Sequence, residues 1–287
     1  MDTDTAISEP PPQSEGMDSI EIRGFNAAYY HAGDGPPVIV AHCSSASHKV
    51  LKPLIKQLER NYEVFAPDLI GYGRSDRWPE DRPLDPEVEV ALLTALQARA
   101  GRPVHLVGHS YGAMLSLEAA RRLGAGVASL TLIEPVSFHL LRPGGRDAEF
   151  RQVARVADGV VRAIREDKPR RAAALYMGFW MGRMKWWLAP ARIKRGVIAT
   201  IGKVAKEFEL VQHMDADLSD YRAIGAPTRL VMGARTRAPA KAVIDILAHT
   251  LPHAELKTVP RAGHMSPLTH PGAVNPLVLA HLRRHAG

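Results

Sequence analysis

The chain has 287 residues, which fits one large domain or one domain with a sizeable insertion. Its 46% apolar content is ordinary for a soluble globular protein, and no apolar stretch is long enough to span a bilayer. A single cysteine, Cys43, excludes an internal disulfide framework and suits a reducing compartment, so a cytoplasmic setting is expected.

The first eighteen residues carry Asp2, Asp4, Glu9, Glu15 and Asp18 with Pro10, Pro11 and Pro12. They lack the basic start and apolar run of a secretory signal, and read as a disordered tail over residues 1–18. Residues 20–23 and 25–32 read as a strand pair closed by Gly33, Asp34, Gly35, Pro36 and Pro37. Residues 38–41 form a short, continuously apolar run of the kind found in a buried parallel strand. A loop of small polar residues, His42 to Ser47, follows, then a helix over 50–58 and a strand over 62–66. The turn-rich stretch from Pro67 to Asp76 contains Gly71 and Gly73. It lacks the third glycine and the Lys-Ser/Thr of a phosphate cradle, so it reads as structural. Residues 86–100 are helical.

The apolar run Val104, Leu106, Val107 leads directly into Gly108-His109-Ser110-Tyr111-Gly112, and a helix-forming run follows over 113–123. Strand, tight turn and helix present the hydroxyl of Ser110 at the top of a sheet, beside the free amides of a helix N-terminus. Ser110 therefore reads as a nucleophile rather than as a helix cap. A strand over 129–133 ends in Glu134-Pro135. About eighty mainly helical residues then intervene. Within them Met177, Trp180, Met181, Met184, Trp187 and Leu188 fall at helical spacing and would share one face. That face reads either as an adaptable ceiling over an acyl or aromatic group or as packing of this segment onto the main domain. A strand over 228–232, a helix over 240–251 and a strand over 255–259 lead into Gly263-His264-Met265, and a helix over 273–284 closes the chain. Strands alternating with helices imply a mostly parallel sheet covered on both faces.

Residues 139–222 hold seventeen Lys or Arg against ten Asp or Glu, which matches the whole formal excess of +7. The basic residues are scattered and no nucleic-acid motif accompanies them. A solvated face is expected, with attraction of an anionic substrate or a membrane surface as the alternative.

The order of strand-His42-Cys43-Ser44, Pro67-Asp68-Leu69 with Gly71, Gly73 and Ser75, Gly108-His109-Ser110-Tyr111-Gly112 and a late Gly263-His264-Met265 resembles the α/β-hydrolase superfamily. The likeness implies a hydrolase core over 19–138 and 223–287 and a helical cap over 139–222. It also implies His264 as the base, chosen among thirteen histidines. His42 then reads as a structural hydrogen-bonder, His109 as a side chain pointing into the sheet, and His281 and His285 as solvated. Most members of the superfamily place the acid after the strand at 228–232, which here is about Thr236, and this chain has no carboxylate there before Asp245. Some relatives place it one strand earlier, where Glu134 stands. Glu134 is thus expected as the acid, ahead of a Ser–His dyad and of Asp245. The oxyanion donors implied are the amides of Tyr111 and Ser44, with Cys43 replacing the usual glycine of that loop as a small buried residue.

Together these point to a serine hydrolase, free of cofactor and metal, that cleaves an ester, thioester or lactone. Met177, Trp180, Met181 and Met184 are the candidate substrate contacts. The expected partner is a small, mostly apolar acyl compound. Neither nucleic acid nor stable membrane insertion is expected, and a homodimer is left open. A C–C bond hydrolase or an acyltransferase on the same scaffold is the alternative, followed by a binding protein without catalysis.

Overall fold

A strand with no polar face needs cover on both sides, and that requirement sets the architecture here. The computed structural model describes residues 16–286. In chain order the strands are β1 (Met17–Ile22), β2 (Phe25–Ala32), β3 (Pro37–Ala41), β4 (Glu63–Pro67), β5 (Val104–His109), β6 (Val127–Ile133), β7 (Thr228–Gly233) and β8 (Ala254–Val259). They form one sheet in the order β1-β2-β4-β3-β5-β6-β7-β8. Both pairings of β2 are antiparallel and all others are parallel.

Side chains alternate along β3. Val38 and Val40 join the core that includes Leu54 of α1 (Lys52–Leu58) and Val274 and Val278 of α11 (Pro271–His285). Ile39 and Ala41 join the core that includes Val88 of α2 (Pro86–Ala100) and Leu117 of α3 (Tyr111–Leu123). This two-sided burial is why residues 38–41 read as an unbroken apolar run. The two ends of α2 follow from its flanks. Asp85 accepts a hydrogen bond from the amide of Glu87, and Gly101 at φ +68° closes the helix.

Strand β1 begins earlier than the sequence suggests. Met17 and Asp18, expected in a disordered tail, stand opposite Tyr30 and Tyr29. The rest of that expected tail, residues 1–15, lies outside the described residues. Between β6 and β7 the chain leaves the sheet to build a helical cap from α4 (Asp147–Arg165), α5 (Pro169–Met181), α6 (Arg183–Trp187), α7 (Ala191–His213) and α8 (Leu218–Arg222). It then returns through β7, α9 (Ala238–Thr250), β8, α10 (Ser266–Thr269) and α11. Among the described residues no helix is long and apolar enough to cross a membrane.

Candidate active site

Sheet register lines up the three loops that matter. His109 pairs with Ile133, and Ile133 with Val231, so the residues just past these strands fall side by side. The amide of Ser110 donates to the carbonyl of Ile133 (2.9 Å), and the amide of Glu134 to that of Val231 (3.0 Å). Strand β7 pairs Gly233 with Val259, which brings the loop carrying His264 alongside.

Ser110 sits at φ +55°, ψ −115°, a conformation that non-glycine residues rarely adopt and that functional sites hold under strain. The flanking glycines permit it. A Cβ at Gly108 would lie 2.4 Å from the carbonyl oxygen of Gly112, and one at Gly112 would lie 2.4 Å from that of His42. Ser110, His264 and Glu134 are all buried and form one hydrogen-bonded line. Nε2 of His264 is 2.9 Å from Oγ of Ser110, and Nδ1 is 3.2 Å from Oε2 of Glu134. The carboxylate of Glu134 also accepts from the amide of Gly233 (2.6 Å) and from the hydroxyl of Thr236. Its backbone is held at φ +52°. Asp245 lies elsewhere, ion-paired with Lys241 on α9 (2.7 Å).

The other histidines divide by burial. His109 is fully buried, and its Nε2 donates to the carbonyl of His264 (2.9 Å), so it supports the loop that carries His264. Burial lowers its pKa to about 3. His42 accepts the amide of Leu69 at Nε2 and donates from Nδ1 to the carbonyl of Cys43. Burial lowers its pKa to about 4, and it is a neutral brace for the loop before Ser44. Burial pushes the Cys43 thiol up to about 12, which leaves it protonated and inert. His281, expected in solvent, is buried instead and donates to the carbonyl of Pro227, while His285 is partly exposed. Among the described residues no cluster of His, Cys, Asp and Glu could hold a metal ion.

Ser44 and Tyr111 line the same cavity as Ser110, together with Val136, Phe138 and Trp180. The amide of Tyr111 opens α3, where it has no acceptor within the helix. This cavity has a volume of about 20 Å³, room for about one water. Trp180 lies flat on the imidazole of His264, with ring centroids 3.6 Å apart and planes at 18°.

The stripe of six apolar residues does not share one helix. Gly182, at φ +91°, ends α5 and starts the short α6 in a new direction. Trp180 reaches the cavity. Met181 lies in an outer groove beside His264, and Met177 packs partly buried against the core. Met184 and Trp187 are 68% and 71% exposed and line a separate groove on the outside of the cap with Trp186. Helical spacing alone had no means of registering a break made by one glycine.

The sequence profile of the alpha/beta hydrolase family matches residues 38–277, from β3 into α11. The chain belongs to this family. One member, a pimeloyl-(acyl-carrier protein) methyl ester esterase from Methylococcus capsulatus, is 30% identical over 249 residues, 83% of this chain and 91% of its own. Among solved hydrolase structures, a thermophilic esterase from Thermogutta terrifontis superposes with a TM-score of 0.74 at 22% identity, over 94% of this chain and 99% of that one. The enol-lactonase from Burkholderia xenovorans gives 0.74 at 16% identity, over 93% and 100%. At these identities the structural likeness concerns the fold, a mostly parallel sheet with a helical cap.

Proposed function

We propose that this α/β-hydrolase cleaves a carboxylic ester, thioester or lactone through an acyl-enzyme on Ser110. The observation that carries the reading is the unbroken line from Oγ of Ser110 through the imidazole of His264 to the carboxylate of Glu134. A serine hydroxyl is a poor nucleophile until a base takes its proton, and Nε2 of His264 is within reach to do so. Glu134 at Nδ1 fixes the tautomer and stabilises the imidazolium that forms. Ser110 attacks the carbonyl carbon, and the amides of Tyr111 and Ser44 hold the developing oxyanion. His264 then protonates the departing alcohol or thiol, and finally activates a water that releases the acid. These steps call on no cofactor or metal. The ester and lactone activities of the relatives support the same reaction class.

The acyl group is small and mostly apolar, matching Val136, Phe138, Trp180 and Val211 around the cavity. A cytoplasmic, reducing setting is part of the proposal and is supported by the single, buried Cys43. The test is a neutral fluorophosphonate probe with peptide mapping. An adduct on Ser110, absent in Ser110→Ala, is expected, together with turnover of p-nitrophenyl esters. An intact protein that forms no adduct and turns over no ester overturns the reading.

A further inference from the structure

Trp180 lines two spaces, the small cavity at Ser110 and an outer groove of about 530 Å³ that reaches His264. Around this groove stand Lys185 of α6, Arg235 and Arg237 from the loop before α9, and Arg261 from the turn after β8. No carboxylate lines it. The four cations are exposed, and among the described residues none of them makes an ion pair. Other arginines of the core do find partners, Arg121 with Glu118 and Arg122 with Glu87 among them. Like charges gathered without a counter-charge repel one another, and the arrangement is repaid when an anion enters.

The backbone fixes this arrangement. The amide of Arg235 donates to the carbonyl of Ala262 (2.7 Å), tying the two arginine-bearing loops together. Thr236, between Arg235 and Arg237, donates to Glu134, so the same loop clamps the carboxylate beside His264. Arg261 is held at φ +62°, a strained conformation that the surrounding structure must support. The uncapped N-terminus of α9 adds its dipole beside Ala238. The cap stretch that supplies Lys185 brings no opposing charge in sequence, since no carboxylate occurs from Lys168 to Lys206.

We infer that this groove binds an anionic group, a carboxylate or a phosphate, carried on the leaving-group side of the substrate. The assignment of sides rests on Ser110 being the nucleophile. The acyl part then occupies the small cavity at Ser110, whose lining is mostly apolar, and the departing oxygen or sulfur must come within reach of the imidazole to receive its proton. The remainder of the leaving group extends into the groove that His264 lines. A substrate filling both spaces displaces the indole of Trp180 from between them.

Two substrate pairs with a common butyryl group test this. Butyryl-coenzyme A against S-butyryl-N-acetylcysteamine probes phosphate, and 4-carboxyphenyl butyrate against 4-carbamoylphenyl butyrate probes carboxylate. The anionic member of one pair is expected to have a kcat/KM roughly tenfold higher at low ionic strength, with the advantage shrinking as salt is added. Preference in the first pair alone identifies phosphate, and in the second alone carboxylate. The ratio should fall severalfold, chiefly through KM, in Arg235→Gln/Arg261→Gln and separately in Lys185→Gln. Thermal melts confirm that these exposed positions leave the fold intact. A ratio near one in both pairs, insensitivity to salt, or an unchanged ratio in both variants overturns the groove assignment. Labelling of wild-type Ser110 by the neutral fluorophosphonate keeps the two failures apart. With the label and no anion preference, only the groove assignment falls; without the label, the hydrolase reading falls too.

Discussion

Glu134 receives three hydrogen bonds on two oxygens, from Gly233, Thr236 and His264. A glutamine there keeps one oxygen and turns an NH2 group toward a donor, either Nδ1–H of His264 or the Gly233 and Thr236 side. Glu134→Gln is therefore expected to lower kcat by roughly 10³–10⁴-fold with the fold retained, as amide replacement of a triad carboxylate does. Steady-state kinetics with a p-nitrophenyl ester checks it, and a loss under about tenfold assigns the role to another group. The usual acid position, near Thr236, explains why this site was only partly legible in the sequence. Gly108, Ser110 and Gly112 declare themselves because the strained turn is local. The contact of Thr236 with Glu134 spans 102 residues, and that of His109 with the carbonyl of His264 spans 155. A hydroxyl standing where a carboxylate is usual, paired with a glutamate one strand earlier, was the available signal. The reading as a binding protein without catalysis rested on the missing carboxylate near Thr236, and Glu134 offers a carboxylate to Nδ1 of His264 from one strand earlier.

At the scale of elements, a buried ion cluster ties the cap helix α7 to α2 of the core. Nζ of Lys203 lies 2.6 Å from Oε1 of Glu89 on α2 and 2.8 Å from Oε1 of Glu207 one turn along α7. Tyr72 donates to the same oxygen of Glu207 at 2.7 Å. All three ionisable groups are buried. Burial alone would depress the ammonium, but the carboxylates of Glu207 and Glu89 outweigh it and hold the Lys203 pKa above its ordinary value. Removing the lysine leaves two carboxylates facing each other away from water. Lys203→Met is expected to cost about 3–5 kcal/mol, the range for breaking a buried pair by removing one partner. The combined change Glu89→Leu/Lys203→Met/Glu207→Gln removes the uncompensated charge, keeps an acceptor for Tyr72, and should recover most of that loss. Urea unfolding measures both, and a cost below about 1 kcal/mol for Lys203→Met would mean that this contact does not hold the cap down. Helical periodicity reports only which residues share a face. It had no way to show that a lysine, ordinarily a surface residue, is here the bolt between two layers.

Across the whole molecule, the fold was legible because strand, turn and helix signals are local and repeat down the chain. The charge map was not, because it depends on which loops meet. Histidine shows the same limit, since thirteen occur and their burial, as at His281, is not legible in the sequence. His42, His105, His139 and His281 have pKa values lowered to about 4, and His109 to about 3, each chiefly by burial. In the unfolded chain all five return to about 6.5. Above that value neither state is protonated at these sites and their full contribution to stability is present. As pH falls below about 6.5 the unfolded chain takes up protons that the folded chain refuses, so stability declines. Each histidine contributes up to about 1.4 kcal/mol per pH unit, until pH reaches its folded value. The fold is thus expected to be steady near pH 7–8 and to weaken steeply between about 6.5 and 4, before most carboxylates titrate. Urea midpoints measured across this range test it, and His281→Gln should reduce the slope by about one proton's worth. A stability that stays flat from pH 7 to pH 5 would mean that these imidazoles are not held neutral in the folded protein.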